Sequence, residues 1–552
     1  MKKDSIRKNL AKFFVRDVNL EKESFLFLFL SLFSIVLIIE VLLLRYVTIL
    51  DVRIGYEIEI IAVLFIIALS FLLAGIFVDS VMDKTQLHNI TFLICIIGLF
   101  MILFTDTILM YIGLGLILLT LPLLIIIWFT TLVHETDILN RGRITALLII
   151  SCFLFAMIGV LFAFFDFMFI VFPFFEAFLL ILIVRGSKNY RYIETEERLT
   201  TNRKFLKIIF EKRFFSYSFS FTVLSLILGD FVARFGLTID IFVFSIVSFF
   251  YLIGAGCFFD NVGRKNTLVI GILVLSFFLI VSSGFVESDT IIGIPKRIHL
   301  SFHYAFSILP LLLSVFIISG DFSTERGNLK YRGRINGLYM AIMFLGVMIG
   351  FLLYRIVNGL YATVPELRDI IPDFPNHLHN YMLVILLVWF TFIEESLFSK
   401  EKNWASTIKK LYVFSTHGIC VYYHDFKKEN GPKKELTQEC TDDPRMDEDL
   451  ISGGLSGILT IINEITQSKK QLRKIAKKEN NLLFAHGKYH IVALIASKDL
   501  PILLKKLDGF SSDFESRYIK ELKDFTGLVQ PFQNTKYLVK RYFHQEYSFF
   551  IY

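Results

Sequence analysis

The sequence has little with which to perform covalent chemistry. It contains no glycine-rich phosphate loop, no nucleophile motif and no paired metal-ligand clusters, so nothing in it points to an enzyme, a cofactor or a bound metal. Cysteine is scarce: five in 552 residues and no CxxC pair, with Cys95, Cys152 and Cys257 in or beside apolar segments and Cys420 and Cys440 near the C-terminal end. That scatter argues against a disulfide framework and against a zinc site. The N-terminus is basic at Lys2, Lys3, Arg7, Lys8 and Lys12 but lacks a small-residue cleavage site after its first apolar run, so that run is expected to remain as a helix. A formal net charge of +7 comes without a basic face. Lys and Arg collect at the ends of apolar runs and in the tail, a placement that suits lipid headgroups and gives no reason to expect nucleic acid.

Apolar residues, by contrast, make up 55% of the chain, its mean hydropathy is +0.63, and 61 residues are Phe. Runs such as Phe25 to Leu44 exceed what a soluble core helix needs, and the expected surrounding is a lipid bilayer. Stretches long enough to span lie near 25–46, 59–78, 90–106, 108–133, 144–165 and 167–184, then, after a polar stretch from Arg185 to Arg213, near 215–236, 240–259, 267–286, 299–320, 335–358 and 380–398. With the N-terminus inside, the cytoplasmic side receives the N-terminal cluster, Lys84, Arg141, Arg143, the central loop, Arg264, Lys265, Lys330, Arg332 and Arg334. The other side keeps mainly Arg45, Arg53, Lys296, Arg297 and Arg368. This asymmetry predicts a multi-pass protein of the cell membrane with both termini cytoplasmic.

The two halves repeat each other. Glu59 and Asp79, in Ala74-Gly75-Ile76-Phe77-Val78-Asp79, are each followed 181 positions later by Asp240 and Asp260, the latter in Ala255-Gly256-Cys257-Phe258-Phe259-Asp260. Leu121-Pro122-Leu123-Leu124 recurs as Leu309-Pro310-Leu311-Leu312, and Arg141-Gly142-Arg143-Ile144 as Arg332-Gly333-Arg334-Ile335. Gly256 and Asp260 are four apart and share a helix face on which the absent side chain admits a neighbouring helix. Gly263 ends the helix, which brings Arg264 within reach of Asp260, or of a carboxylate or helix end across the bundle.

The run Gly256-Cys257-Phe258-Phe259-Asp260-Asn261-Val262-Gly263-Arg264-Lys265 resembles the major facilitator superfamily signature between helices two and three or eight and nine. The resemblance covers about residues 24–398. It implies an all-α polytopic bundle of 12 transmembrane helices arranged as 6+6, with a cytoplasmic segment 1–23, bundles 24–184 and 214–398 and a central loop 185–213. It further implies a secondary or facilitative transporter of a small solute working by alternating access. Its inner gate would use Gly256, Asp260, Gly263, Arg264 and Lys265, with Gly75 and Asp79 as the counterpart. The first half departs from the pattern, since Met82-Asp83-Lys84 stands where the family has Gly-Arg-Lys.

Ionisable residues inside spans are the natural solute or proton candidates: Glu40, Glu176, Asp230, Arg234 and His303. Glu40 lies deep in an apolar run and must face a cavity or a partner; as a carboxylate it is suited to carrying a proton. Asp230 and Arg234 read either as a self-neutralising i, i+4 pair near the outer end of their helix or as part of a substrate or gate site. The fourth span contains no Arg and the fifth no glycine-proline-glycine run of the kind that marks the family's drug and proton antiporters. So few charges among so many aromatics favour an uncharged or amphiphilic solute.

From about Lys400 the composition becomes that of a soluble domain, 400–552. Strands are expected at Leu411–Ser415, Ile419–Phe426, Leu472–Lys477, Leu482–His486 and His490–Ala496. A helix is expected on the apolar face of Leu450, Ile451, Leu455, Ile458, Leu459, Ile462 and Ile465, and a last one on Phe514, Tyr518, Leu522 and Phe525. Asp447, Glu448 and Asp449 suit the positive start of the first helix better than a metal. This order resembles the longin or roadblock group of small α/β, profilin-like domains, which implies a small GTPase or trafficking protein as a partner. The chain then has an alternative reading: a non-transporting receptor or anchor that holds this domain at the membrane.

Overall fold

The long apolar runs form helices because only a helix satisfies every backbone N–H and C=O within one segment when lipid offers no partner. A computed structural model describes residues 22–49, 57–104, 108–154, 165–186, 204–236, 240–283, 294–325, 328–364, 374–394, 403–426, 444–466, 472–477, 480–523 and 527–543, with isolated positions between them. The N-terminal basic cluster, most of the central loop and Cys440 lie outside the described residues, as do the side chains of Asp447, Glu448 and Asp449. The chain divides into two compact units, residues 1–398 and 399–552.

The first unit carries, among the described residues, twelve helices of fourteen or more residues. They are α1 (Lys22–Ile49), α2 (Glu57–Ser80), α3 (Lys84–Ile102), α4 (Ile108–Glu135), α5 (Arg141–Leu154), α6 (Asp166–Gly186), α7 (Lys212–Phe235), α8 (Ile241–Asn261), α9 (Arg264–Ser283), α10 (Lys296–Thr324), α11 (Arg332–Thr363) and α12 (Phe374–Phe392). Nine of the described helices are long and apolar enough to cross a membrane. Their outer faces say the same: Phe65, Leu69, Leu73 and Ile76 on α2, and Val384, Ile385, Val388 and Phe392 on α12, stand exposed at helical spacing. Water would penalise such stripes, and hydrocarbon covers them.

Two elements differ from the sequence reading. Helix α3 starts six residues before position 90, because Asp83 caps it by accepting a hydrogen bond from the Gln86 N–H (2.9 Å). Helix α12 starts six residues before position 380, so the polar run through His377 and His379 is helical and faces inward at His379. Glycines set the closest crossings. A Cβ on Gly75 (α2) would lie 2.6 Å from the Gly333 carbonyl (α11), and one on Gly256 (α8) 2.6 Å from Ala146 Cβ (α5).

The second unit forms a five-stranded antiparallel sheet from β1 (Ile408–Ser415), β2 (Cys420–Asp425), β3 (Lys474–Lys477), β4 (Asn480–His486) and β5 (His490–Ala496), in the spatial order β2-β1-β5-β4-β3. Gly418, at φ +84°, makes the β1–β2 turn. Helix α13 (Pro444–Thr466) packs Leu455 and Leu459 against Tyr412, Phe414 and Phe484, and α14 (Pro501–Lys523) lies against β4 and β5. A short α15 (Thr535–Phe543), which the pattern did not suggest, adds buried Leu538, Val539 and Phe543. His490 is buried against Ser511 Oγ (3.0 Å), and that burial pushes its imidazole down to about 4, so it is neutral at physiological pH.

Candidate functional site

The repeated turns meet at one end of the bundle, where α2 runs into α3, α4 into α5, α8 into α9 and α10 into α11. In the C-terminal half Asp260, at the end of α8, points at the first turn of α5 in the other half. It accepts hydrogen bonds from the Gly142 N–H (2.9 Å), the Arg143 N–H (2.8 Å) and Arg143 Nε (3.2 Å), and Arg264 Nη1 approaches at 3.3 Å. The first N–H groups of a helix have no intrahelical acceptor and carry the positive end of its dipole, so a carboxylate there is doubly favoured. Gly142 is required: a Cβ would stand 2.6 Å from Asp260 Oδ1.

Arg264 is fully buried and spends its guanidinium on several acceptors. Besides Asp260 it donates to Asp321 of α10 (Nε to Oδ2, 2.7 Å), to the Phe259 carbonyl and, across the two halves, to the Ile138 carbonyl. Asp321 also accepts from Arg141 Nη1 of α5 (2.6 Å), so one carboxylate ties an arginine of each half. Gly263 has φ +118°, the left-handed conformation expected of a helix-ending glycine, and Lys265 is half-buried beside it.

The N-terminal half repeats the backbone part of this arrangement. Asp79, at the end of α2, accepts from the Gly333 N–H (2.6 Å) and the Arg334 N–H (3.1 Å) of α11, and Arg334 Nε lies 3.5 Å away. The ionic part differs. Buried Lys84 donates to the carbonyls of Val78 and Val81, and Val78 is the counterpart of Phe259, the residue that Arg264 reaches. Arg332, the counterpart of Arg141, meets a phenol: Nη1 donates to Tyr192 Oη (3.1 Å), at the start of the central loop. Tyr192 is held by its own backbone on Thr85 Oγ1 (2.9 Å) and on the Lys84 N–H (3.1 Å), and its ring stacks on His134 at 4.2 Å.

The buried acids of the sequence lie elsewhere, between the first and last helix of each half. In α6, Glu176 is fully buried; Oε2 accepts from Ser34 Oγ of α1, while Oε1 has no hydrogen-bond partner. Glu40, two turns further along α1, is half-buried with Oε2 unpaired. In the C-terminal half Asp230 (α7) has Arg234 Nη2 at 3.7 Å and His379 Nδ1 (α12) at 3.3 Å, and His303 (α10) lies flat on Phe231 with ring centroids 3.4 Å apart. Asp230, Arg234 and His303 therefore fall in one neighbourhood, apart from the cluster around Asp260 and Asp79 and from Glu40 and Glu176.

Sequence reasoning missed Asp321, Tyr192 and His379. Asp321 had one available signal, an acid near the end of a span beside a basic turn; the other two had none. A groove of about 450 Å³ between α2 and α4 is lined by exposed Leu73, Ile76, Phe77 and Leu119, which makes it a lipid-facing surface.

No protein-family description and no curated protein matches the chain in sequence. Solved structures do match it in fold. FucP, a Major Facilitator Superfamily transporter in the outward conformation, is similar over 67% of this chain and 98% of its own, at 10% identity and a TM-score of 0.50. The proton:xylose symporter XylE is similar over 69% and 98%, at 12% identity and a TM-score of 0.48. Identities this low speak to fold alone, and the first unit has the fold of the major facilitator transporters.

Proposed function

We propose that this chain is a transporter of a small solute working by alternating access. The carrying observation is that each half ends a helix in a carboxylate seated on backbone N–H groups of the other half. Such a joint is made when one end of the bundle is closed and is lost when the halves separate. In this reading twelve spans divide as 24–184 and 214–398 about the loop 185–213, both termini are cytoplasmic, and the closed end is the cytoplasmic one. Asp260, Arg264 and Asp321 form the stronger latch, Asp79 with Lys84 the weaker, and Gly75, Gly256 and Gly263 give the close approach and the turn; Lys265 flanks it. Glu40 and Glu176, each with an unpaired buried oxygen, are the candidates for solute or proton contact in the N-terminal half. The apolar, aromatic interior suits an uncharged or amphiphilic solute.

Reconstituted vesicles test the reading. Solute and proton flux is expected from wild type, and Asp260→Asn and Glu40→Gln are expected to abolish it or uncouple it. A chain that moves nothing across a broad solute panel would overturn the proposal.

One observation favours the second reading, the anchor. Helix α13 leaves Leu450, Ile451, Ile458 and Ile461 exposed on a folded domain whose element order resembles longin domains. Retention of a small GTPase by the full-length protein, together with no flux, is the result that reading expects.

A further inference from the structure

Within the C-terminal half two buried ionisable groups face each other with their hydrogen bonds incomplete. Asp230 and His379 are 0% and 1% exposed, their nearest atoms are 3.3 Å apart, and neither carboxylate oxygen of Asp230 nor either ring nitrogen of His379 completes a hydrogen bond. Arg234, 3.7 Å away, gives Asp230 a charge partner but no hydrogen bond, and a buried polar group with its hydrogen bonds incomplete costs roughly a few kcal/mol, so the pair is poised to take up a hydrogen-bonding proton. Among the described residues no three of His, Cys, Asp and Glu converge as metal ligands. A proton fits between an imidazole nitrogen and a carboxylate oxygen at this separation.

Every helix packed on α7 here contributes a group. From α7 itself comes Arg234, 3.7 Å from Asp230 and 5.3 Å above the Tyr354 ring. Helix α10 brings His299 and His303, both buried; α11 brings Tyr354 and Arg355, the latter over Phe351; α12 brings His377 and His379. Arg234 already balances the Asp230 carboxylate, so the unloaded cluster of Asp230, Arg234 and neutral His379 carries no net charge.

We propose that Asp230 and His379 form a proton-binding site inside the C-terminal half. A proton from water adds to His379 Nδ1, and the new N–H donates to Asp230 Oδ2, which tightens the present contact into a charge-assisted hydrogen bond. On release the same N–H bond breaks and the proton returns to water; no electron moves. Loading adds one positive charge to a buried cluster at the start of α12 and the end of α7, so proton occupancy and the packing of these helices bias each other. Use of this proton to drive solute movement rests on the transporter reading; the site itself does not.

The test counts protons and needs no solute. Full-length protein in lipid nanodiscs is titrated from neutral to mildly acidic pH while proton uptake is measured and the imidazole and carboxyl bands are followed by infrared difference spectroscopy. His379→Gln and Asp230→Asn are each expected to bind about one proton fewer per chain than wild type. Both should lose one residue's share of the imidazolium band, while His303→Gln keeps it. Equal uptake by wild type and both variants would overturn the site, as would loss of the band in His303→Gln alone. Flux assays then separate the two readings. A chain that transports with an unchanged proton count breaks this proposal only, whereas one that titrates as expected but moves no solute breaks the transporter reading only.

Discussion

The two carboxylates at the end of the bundle where the repeated turns meet sit in the same backbone cradle and in different electrostatic company. Asp260 and Asp79 each accept two N–H groups from the first turn of a helix in the opposite half. Around Asp260, however, Arg264, Arg143, Arg141 and Asp321 make a buried network with contacts of 2.6 to 3.3 Å. Around Asp79 the only ion pair among the described contacts is with Arg334, at 3.5 Å and with 37% of that side chain exposed. Lys84 and Tyr192 stand where the other half has Arg264 and Asp321. The comparison teaches that the joint between halves is built first from main chain, with side-chain charges as reinforcement that one half has largely replaced by neutral acceptors.

Native Cys257, buried on α8 beside this joint, gives one readout for breaking the comparison: loss of the joint should raise its labelling by a water-soluble maleimide. The largest effect is expected from Asp260→Ala, which leaves Arg143 and two N–H groups without their acceptor and Arg264 with Asp321 as its remaining carboxylate, and should cost the joint about 3–5 kcal/mol. Labelling should rise on the order of a hundredfold or more, with Cys95 and Cys152 still protected as the sign of an intact fold. Asp79→Ala should cost about 1–3 kcal/mol, chiefly for two unsatisfied N–H groups; an effect equal to that of Asp260→Ala would sink the claim that the two sides differ.

Gly142→Ala and Gly333→Ala sharpen the shared part. Each new Cβ would fall within 2.7 Å of the facing carboxylate oxygen, so both should cost about 1–3 kcal/mol and by nearly the same amount. A large gap between them would mean that the cradles are not equivalent. The smallest effect belongs to Tyr192→Phe, which removes the acceptor for Arg332 but keeps the ring on His134, for about 1 kcal/mol. If Cys257 labelling in Tyr192→Phe matched wild type, the phenol would be no substitute for Asp321.

What the sequence revealed and what it hid divide along the same physical line. The pattern of Gly256, Asp260, Gly263 and Arg264 was legible because its logic is local: spacing of four on a helix, then a glycine turn. The partners were not, since Asp321 lies 57 residues from Arg264 and 180 from Arg141. The N–H groups of Gly142 and Arg143 leave no trace in residue type at all, although the repeat of Arg141-Gly142-Arg143 in Arg332-Gly333-Arg334 marked the place. His379 was hidden by a boundary, because its polar neighbours resembled a loop and proved to be the first turns of α12. In the tail, strand-like runs between turn residues gave the five strands in chain order but not their order in the sheet. Helix α15 was too short to announce itself.

The placement of Tyr192 bears on how the chain could be taken apart. A segment after α6 would ordinarily be regarded as slack between two repeats, free to be cut, lengthened or reversed. Here Tyr190 and Tyr192 bond to Glu135 and Thr85 of the N-terminal half, so the two halves expressed as separate polypeptides should reassemble best when the break falls beyond Tyr192. A circular permutant opened just after Gly186 would carry every helix and every motif and yet hold Tyr192 on a free end, no longer tied to α6.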